Sequence, residues 1–125
     1  MIDHVSLAVR DLSAAAAFYE RLLAPLGYAK LLERPNTVGF GKKYPELWLN
    51  LRSDMAAVPS NSGAHVALRA ASEDAVRAFH AAALAAGGVS DGEPGPRQAA
   101  MTTYFGAFIL DPDGNKIEAL CFPRA

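Results

Sequence analysis

Three side chains far apart in the chain, His4, His65 and Glu118, are of the types that hold a divalent metal ion. Two neutral imidazole nitrogens and one carboxylate oxygen suit Zn, Ni, Fe, Mn or Co, and a three-donor set leaves positions open for water or substrate. Glu118 stands out most, because it interrupts the apolar run Ile117-Glu118-Ala119-Leu120-Cys121-Phe122. A carboxylate in the middle of such a strand is costly to bury unless it meets a cation, hydrogen-bond donors or a metal. The plainer alternative leaves each histidine at a strand end and pairs Glu118 with Lys116 or Arg69.

The elements that must position these groups can be read from periodicity. Residues 2 to 9 alternate, with Val5, Leu7 and Val9 on one strand face and His4, Ser6 and Ala8 on the other. Asp11 or Ser13 can cap a helix that continues to about Leu23, where Pro25 and Gly27 stop it. Short strands follow at 28–32 and 37–41, then a turn at Lys43-Tyr44-Pro45. Next comes a strand over 46–51, with leucines 47, 49 and 51 on one face and Glu46, Trp48 and Asn50 on the other. Residues 57–62 form the linker between residues 1–56 and 63–125, the two halves of a single expected domain.

After the linker the pattern returns. A strand over 63–69 precedes a helix started by Ser72, Glu73 and Asp74 and ended by Gly87-Gly88. Sliding residues 4–27 by 61 positions onto 65–88 needs no gap and gives nine identities in 24 positions, His4/His65, Phe18/Phe79 and Gly27/Gly88 among them. Residues 89–98, rich in Pro and Gly, read as a loop in which Arg97 and Gln98 suit a lid. A strand over 101–110 then turns through Asp111-Pro112-Asp113-Gly114 into the Glu118 strand. Each half is thus strand, helix and about three antiparallel strands, an α+β arrangement with the helices on one face and a cleft on the other. Strand phase sends His4, His65, Trp48, Asn50 and Glu118 to the cleft. Arg69, in phase with His65, can pair with an anionic substrate group, and Trp48, Tyr104 and Phe108 can form an aromatic wall. His80 reads as a helix-surface histidine.

The segments His4-Val5-Ser6-Leu7-Ala8-Val9-Arg10-Asp11-Leu12, Ala17-Phe18-Tyr19, Gly63-Ala64-His65-Val66-Ala67-Leu68 and Asp111-Pro112-Asp113-Gly114-Asn115-Lys116-Ile117-Glu118 resemble the vicinal oxygen chelate superfamily. That group includes glyoxalase I, bleomycin-binding and fosfomycin-resistance proteins and extradiol dioxygenases. The resemblance implies two tandem βαβββ modules forming a curved, partly open mixed sheet around a divalent ion, with His4, His65 and Glu118 as ligands. It also implies a small-molecule substrate and a possible homodimer, because the cleft of such proteins forms either within one chain or across two. The glyoxalase I pattern has a second carboxylate in the last strand of the first module. Setting 40–50 against 108–118 puts Asn50 there, an offset of 70 puts Trp48 there, and Glu46 falls at the strand mouth. A three-ligand site is therefore expected, with Glu118 also able to serve as a base in lyase or isomerase chemistry, whereas dioxygenase chemistry would need Fe(II). The rival reading is a metal-free binding protein of the bleomycin-resistance kind.

Composition excludes other classes. With 12 Lys and Arg against 13 Asp and Glu, scattered singly, no electrostatic footprint for nucleic acid or acidic membranes exists. No apolar window approaches the roughly 20 residues of a membrane span, and the start at Met1-Ile2-Asp3-His4 carries no signal core. The single cysteine, Cys121, allows no intrachain disulfide and suits a reducing compartment, so a cytoplasmic location is expected.

Overall fold

Asp11 and Ser72 cap the two helices as their positions in the sequence predict: the Asp11 carboxylate accepts from the Ala14 amide at 3.0 Å and the Ser72 hydroxyl from the Ala75 amide at 3.1 Å. In the computed structural model, which describes residues 1–123, they start α1 (Leu12–Leu23) and α2 (Glu73–Ala85). The last two positions of the expected second half, 124 and 125, lie outside the described residues.

The first half supplies β1 (Val5–Val9), β2 (Ala29–Arg34), β3 (Thr37–Gly41) and β4 (Pro45–Leu51). The second supplies β5 (Val66–Arg69), β6 (Val89–Gln98), β7 (Thr103–Leu110) and β8 (Lys116–Cys121). Each half closes one four-stranded mixed sheet, ordered β1-β4-β3-β2 and β5-β8-β7-β6. In each, the first strand runs parallel to the last and the other pairs are antiparallel. Alternation decides what each face meets. Leu7, Val9, Leu47 and Leu49 pack beneath α1 with Phe18, Tyr19, Leu22 and Leu23, and Ile109, Ile117 and Ala119 lie beneath α2 with Val76 and Phe79. Truncating one of these fully buried leucines, isoleucines or phenylalanines to alanine costs about 2–5 kcal/mol.

Two local expectations are corrected. Residues 89–98 are the strand β6, not a loop, paired antiparallel with β7 through Val89↔Leu110 to Gln98↔Thr103. Pro94 and Pro96 are tolerated because β6 is the outer strand of its sheet, where a missing amide donor leaves no central ladder bond unmade. The register shifts at Gly92 absorb the irregularity. His80 is buried, not on the helix surface: α2 turns it toward β6, where its Nε2 lies 2.8 Å from the Ser90 hydroxyl.

The turn Asp111-Pro112-Asp113-Gly114-Asn115 does more than reverse the chain. The buried Asp111 carboxylate accepts from the Asp113 amide at 2.9 Å, the Asn115 amide at 2.8 Å, the Asn115 side-chain amide at 2.9 Å and the Tyr19 hydroxyl of α1. Asn115 Nδ2 also donates to the Ala8 carbonyl at 2.9 Å, and Arg10 Nε to Asp113 Oδ1 at 2.7 Å. One turn of the second half is therefore bonded to the end of β1 and the core face of α1.

Burial, followed by the Asp111 charge, raises the Tyr19 phenol well above its ordinary 10.0. The folded protein then holds that proton more tightly than the unfolded chain. Its stabilising contribution is complete below about pH 10 and is lost as pH rises from there toward the folded-state value. The urea midpoint is expected to fall above that pH. Tyr19→Phe, destabilised by about 1 kcal/mol at neutral pH, should lose this part of the alkaline decline; identical declines in the two proteins would disprove the assignment.

Candidate metal centre

Register brings the site together on the face of the second sheet opposite α2. Glu118 on β8 lies between Ala67 of β5 and Phe108 of β7, and His65 sits one residue before β5 begins. Its Nε2 is 3.2 Å from Glu118 Oε1, and its ring packs edge-on against Phe108 with centroids 5.8 Å apart. Neither cation expected to neutralise Glu118 does so. Lys116 Nζ bonds Asp91 at 2.9 Å above the Phe108 ring, and the Arg69 guanidinium stacks on Phe122 at 4.8 Å.

Glu118 is thus left incompletely paired. Its side chain is 5% exposed, and Oε2 is buried without a hydrogen-bond partner among the described residues. Tyr104 approaches the carboxylate without completing an ordinary hydrogen bond. The Tyr104 phenol is raised first by burial and then by Glu118, with Arg97 opposing. A carboxylate oxygen that is buried, unpaired and next to an imidazole fits the donor set of a divalent cation.

His4 stands elsewhere. Its Nδ1 lies 2.7 Å from Asp3 Oδ1, and it shares with His65, Tyr28 and Glu46 the lining of a cleft of about 380 Å³ between β1 and β5. Glu118 does not line that cleft. Among the described residues no three His, Cys, Asp or Glu side chains converge within one chain. The structure pairs His65 with Glu118 and leaves His4 on the other sheet.

The register also decides between the two expected counterparts of Glu118. Ser6 pairs with Trp48 as Ala67 pairs with Glu118, and Ser6 and Ala67 correspond under the 61-residue repeat. Trp48 therefore holds the matching place in the first sheet. Its indole lies across Gly39, where an added Cβ would sit 2.9 Å from a ring carbon. Asn50, one step further, accepts from the Thr37 hydroxyl at 2.8 Å. Extending the β1–β4 register one residue back sets Glu46 beside His4. Gly106 does for Tyr104 what Gly39 does for Trp48: an added Cβ would lie 2.9 Å from the Tyr104 ring and 3.3 Å from Glu118 Oε2. Sequence reasoning gave neither glycine this role: Gly106 lies in phase with Tyr104 on β7, whereas Gly39 faces Trp48 only through the β3–β4 pairing.

The family model of the glyoxalase/bleomycin resistance protein/dioxygenase superfamily matches residues 1–119. A glyoxalase/bleomycin resistance protein from Albidiferax ferrireducens is 31% identical with a TM-score of 0.85, over 95% of this chain and 97% of that one. A glyoxalase/bleomycin resistance protein/dioxygenase family enzyme from Burkholderia phytofirmans is 18% identical (TM-score 0.73; 98% of each chain). A genomically encoded fosfomycin resistance protein from Listeria monocytogenes shares the fold at 15% identity and a TM-score of 0.69, over 98% of this chain and 93% of that one. No curated protein matches.

An unpaired buried carboxylate oxygen weakens the metal-free fold. Glu118→Leu, close in size and with nothing to satisfy, should raise the unfolding free energy of metal-free protein by about 1–3 kcal/mol. Chemical denaturation after chelator treatment measures it, and a loss of stability would mean that Glu118 is already satisfied.

Proposed function

Because the chain belongs to the glyoxalase/bleomycin resistance protein/dioxygenase superfamily, we propose that it is a metal-dependent enzyme acting on a small substrate with adjacent oxygens. His65 and Glu118 of one copy and His4 of a second copy supply the donors. The observation that carries this reading is the orphaned Glu118 Oε2 beside the His65 imidazole. A divalent ion held there by His65 and Glu118 would supply Lewis-acid polarisation of the substrate oxygens.

The chain's own groups complete the chemistry. Tyr104, its pKa raised, stays protonated at neutral pH and can donate to an oxygen on which negative charge develops. Glu118 Oε2 can take and return a proton, as lyase and isomerase reactions require. The Phe108 ring packs edge-on against the His65 imidazole and holds it beside Glu118. A second copy is invoked because Glu118 does not line the cleft that His4 and His65 share and, among the described residues, no third donor joins the His65–Glu118 pair within the chain. In such a site Trp48 of the His4-bearing copy stands where a second carboxylate would, which favours three protein donors.

The same Trp48 supports a second reading, a sequestering protein that holds its ligand between aromatic walls without metal. Metal content separates the two. Protein purified without chelator or affinity tag should carry about one transition-metal ion per chain, lost in Glu118→Gln and in His4→Ala. Mixing the last two variants, each empty alone, should restore part of the binding, because a mixed dimer contains one intact site. Wild type that stays empty after incubation with Zn, Ni, Fe, Mn and Co in turn would leave the sequestering reading; a loaded monomer would remove the second copy from the site.

A further inference from the structure

Arg97 is a cleft-face cation of the second sheet that is hydrogen-bonded into place along its own strand and, among the described residues, meets no carboxylate. It pairs with Tyr104 in the β6–β7 register, so the two share the face that carries Phe108 and Glu118. Its side chain folds back along β6. Nη2 donates to the Glu93 carbonyl, Nη1 donates to the Pro96 carbonyl at 3.3 Å, and Cζ lies 5.9 Å from the Phe108 ring centroid.

Two glycines make this possible. An added Cβ at Gly92 would lie 3.2 Å from Nη2 and 3.0 Å from the Phe108 ring, and one at Gly95 would lie 3.3 Å from Nη1. Gly95 pairs with Gly106, so a strip without side chains of its own runs across β6 and β7 toward Glu118, and the Tyr104 ring lies over part of it. Of the other cations on this face, Lys116 bonds Asp91, and Arg69 stacks on the Phe122 ring at the far end of β8 with no hydrogen bonds among the described residues to hold its guanidinium in place. Arg97 makes no ion pair among the described residues. Its backbone acceptors take one hydrogen from each terminal nitrogen, leaving Nε–H and one further N–H on each, enough for a two-pronged grip on an oxyanion.

We infer that Arg97 is an oxyanion seat, and that the substrate carries a carboxylate or phosphonate group joined by a flat apolar spacer to the end that meets Glu118. β6 and β8 are two strand spacings apart, about 10 Å, and the Phe108 ring lies between them. A spacer of about the length of a benzene ring would bridge the two ends beside Phe108. The inference deepens the proposed function and rests on it for the reacting end alone; the anion's end depends on Arg97 and the glycines.

The experiment uses metal-free protein, so its outcome is independent of metal content. Benzoate, phenylphosphonate and the neutral benzamide are titrated into wild type, Arg97→Gln, Arg97→Lys and Gly92→Ala, with amide chemical shifts as the readout and circular dichroism confirming that each variant is folded. At least one of the two anions should bind wild type on the order of tenfold more tightly than benzamide. Arg97→Gln should abolish that preference, Arg97→Lys should keep only part of it, and Gly92→Ala, which crowds the guanidinium, should weaken it. Shifts should centre on Gly92, Arg97 and Phe108. Anion binding unchanged in Arg97→Gln, or no preference over benzamide in wild type, overturns the inference and leaves the metal reading standing; a protein that never takes up metal but shows the Arg97-dependent preference overturns only the latter.

Discussion

The buried carboxylate of Asp111 is the constraint on which the rest of the molecule depends. It gathers hydrogen bonds from Tyr19 of α1 and from Asp113 and Asn115 within its own turn, and Asn115 in turn ties down the end of β1. Burial, with the Asp113 charge, raises its pKa above the ordinary carboxylate value while the hydrogen bonds from Tyr19 and Asn115 oppose the rise. A short motif that looks at first like a simple hairpin turn thereby sets the start of β8, and with it the height of Glu118, relative to the first half. Arg10, bonded to Asp113, reinforces the same junction from the exposed side.

With the frame set, the concave face of the second sheet carries a concentration of unmet demand. Glu118 holds a buried oxygen with no donor, Tyr104 bends over Gly106 toward it, and Arg97 lies over Phe108 without a carboxylate of its own. The opposite face of the sheet shows none of this. There Ile109, Ile117 and Ala119 fill the space beneath α2 with apolar atoms alone. Apolar packing is concentrated on one face and unmet polar groups on the other, and strand alternation keeps them apart at a separation of one residue.

That alternation is why much of the site was legible in the sequence. His65, Tyr104, Phe108 and Glu118 share a face because period two leaves no other choice once Ile117 and Ala119 are assigned to the core, and the gapless 61-residue repeat predicted the doubled architecture. What could not be read was whatever depends on pairing between strands. Two offsets competed for the partner of Glu118, and only the β1–β4 register chose Trp48 over Asn50. The Pro/Gly composition of 89–98 hid an edge strand, since composition reports backbone propensity and not the freedom of an unpaired edge. His80 was misread because helical periodicity says which residues share a face, but not that β6 would lie against this one. The lid expected for Arg97 follows from that same Pro/Gly composition of 89–98, whereas the β6–β7 pairing sets it opposite Tyr104.

The Asp111 junction also sets the order of events in folding. The Tyr19 hydroxyl finds its acceptor 92 residues along the chain, and Ala8 and Arg10 meet their partners 107 and 103 residues away. Loops of that length close late, after local helices and hairpins have formed. As the chain is synthesised, the first half can make its sheet and α1, yet α1 presents an unanswered phenol inside its apolar face until Asp111 emerges. The two halves are similar in plan but not equivalent in time: the first is assembled early and made secure only by the second.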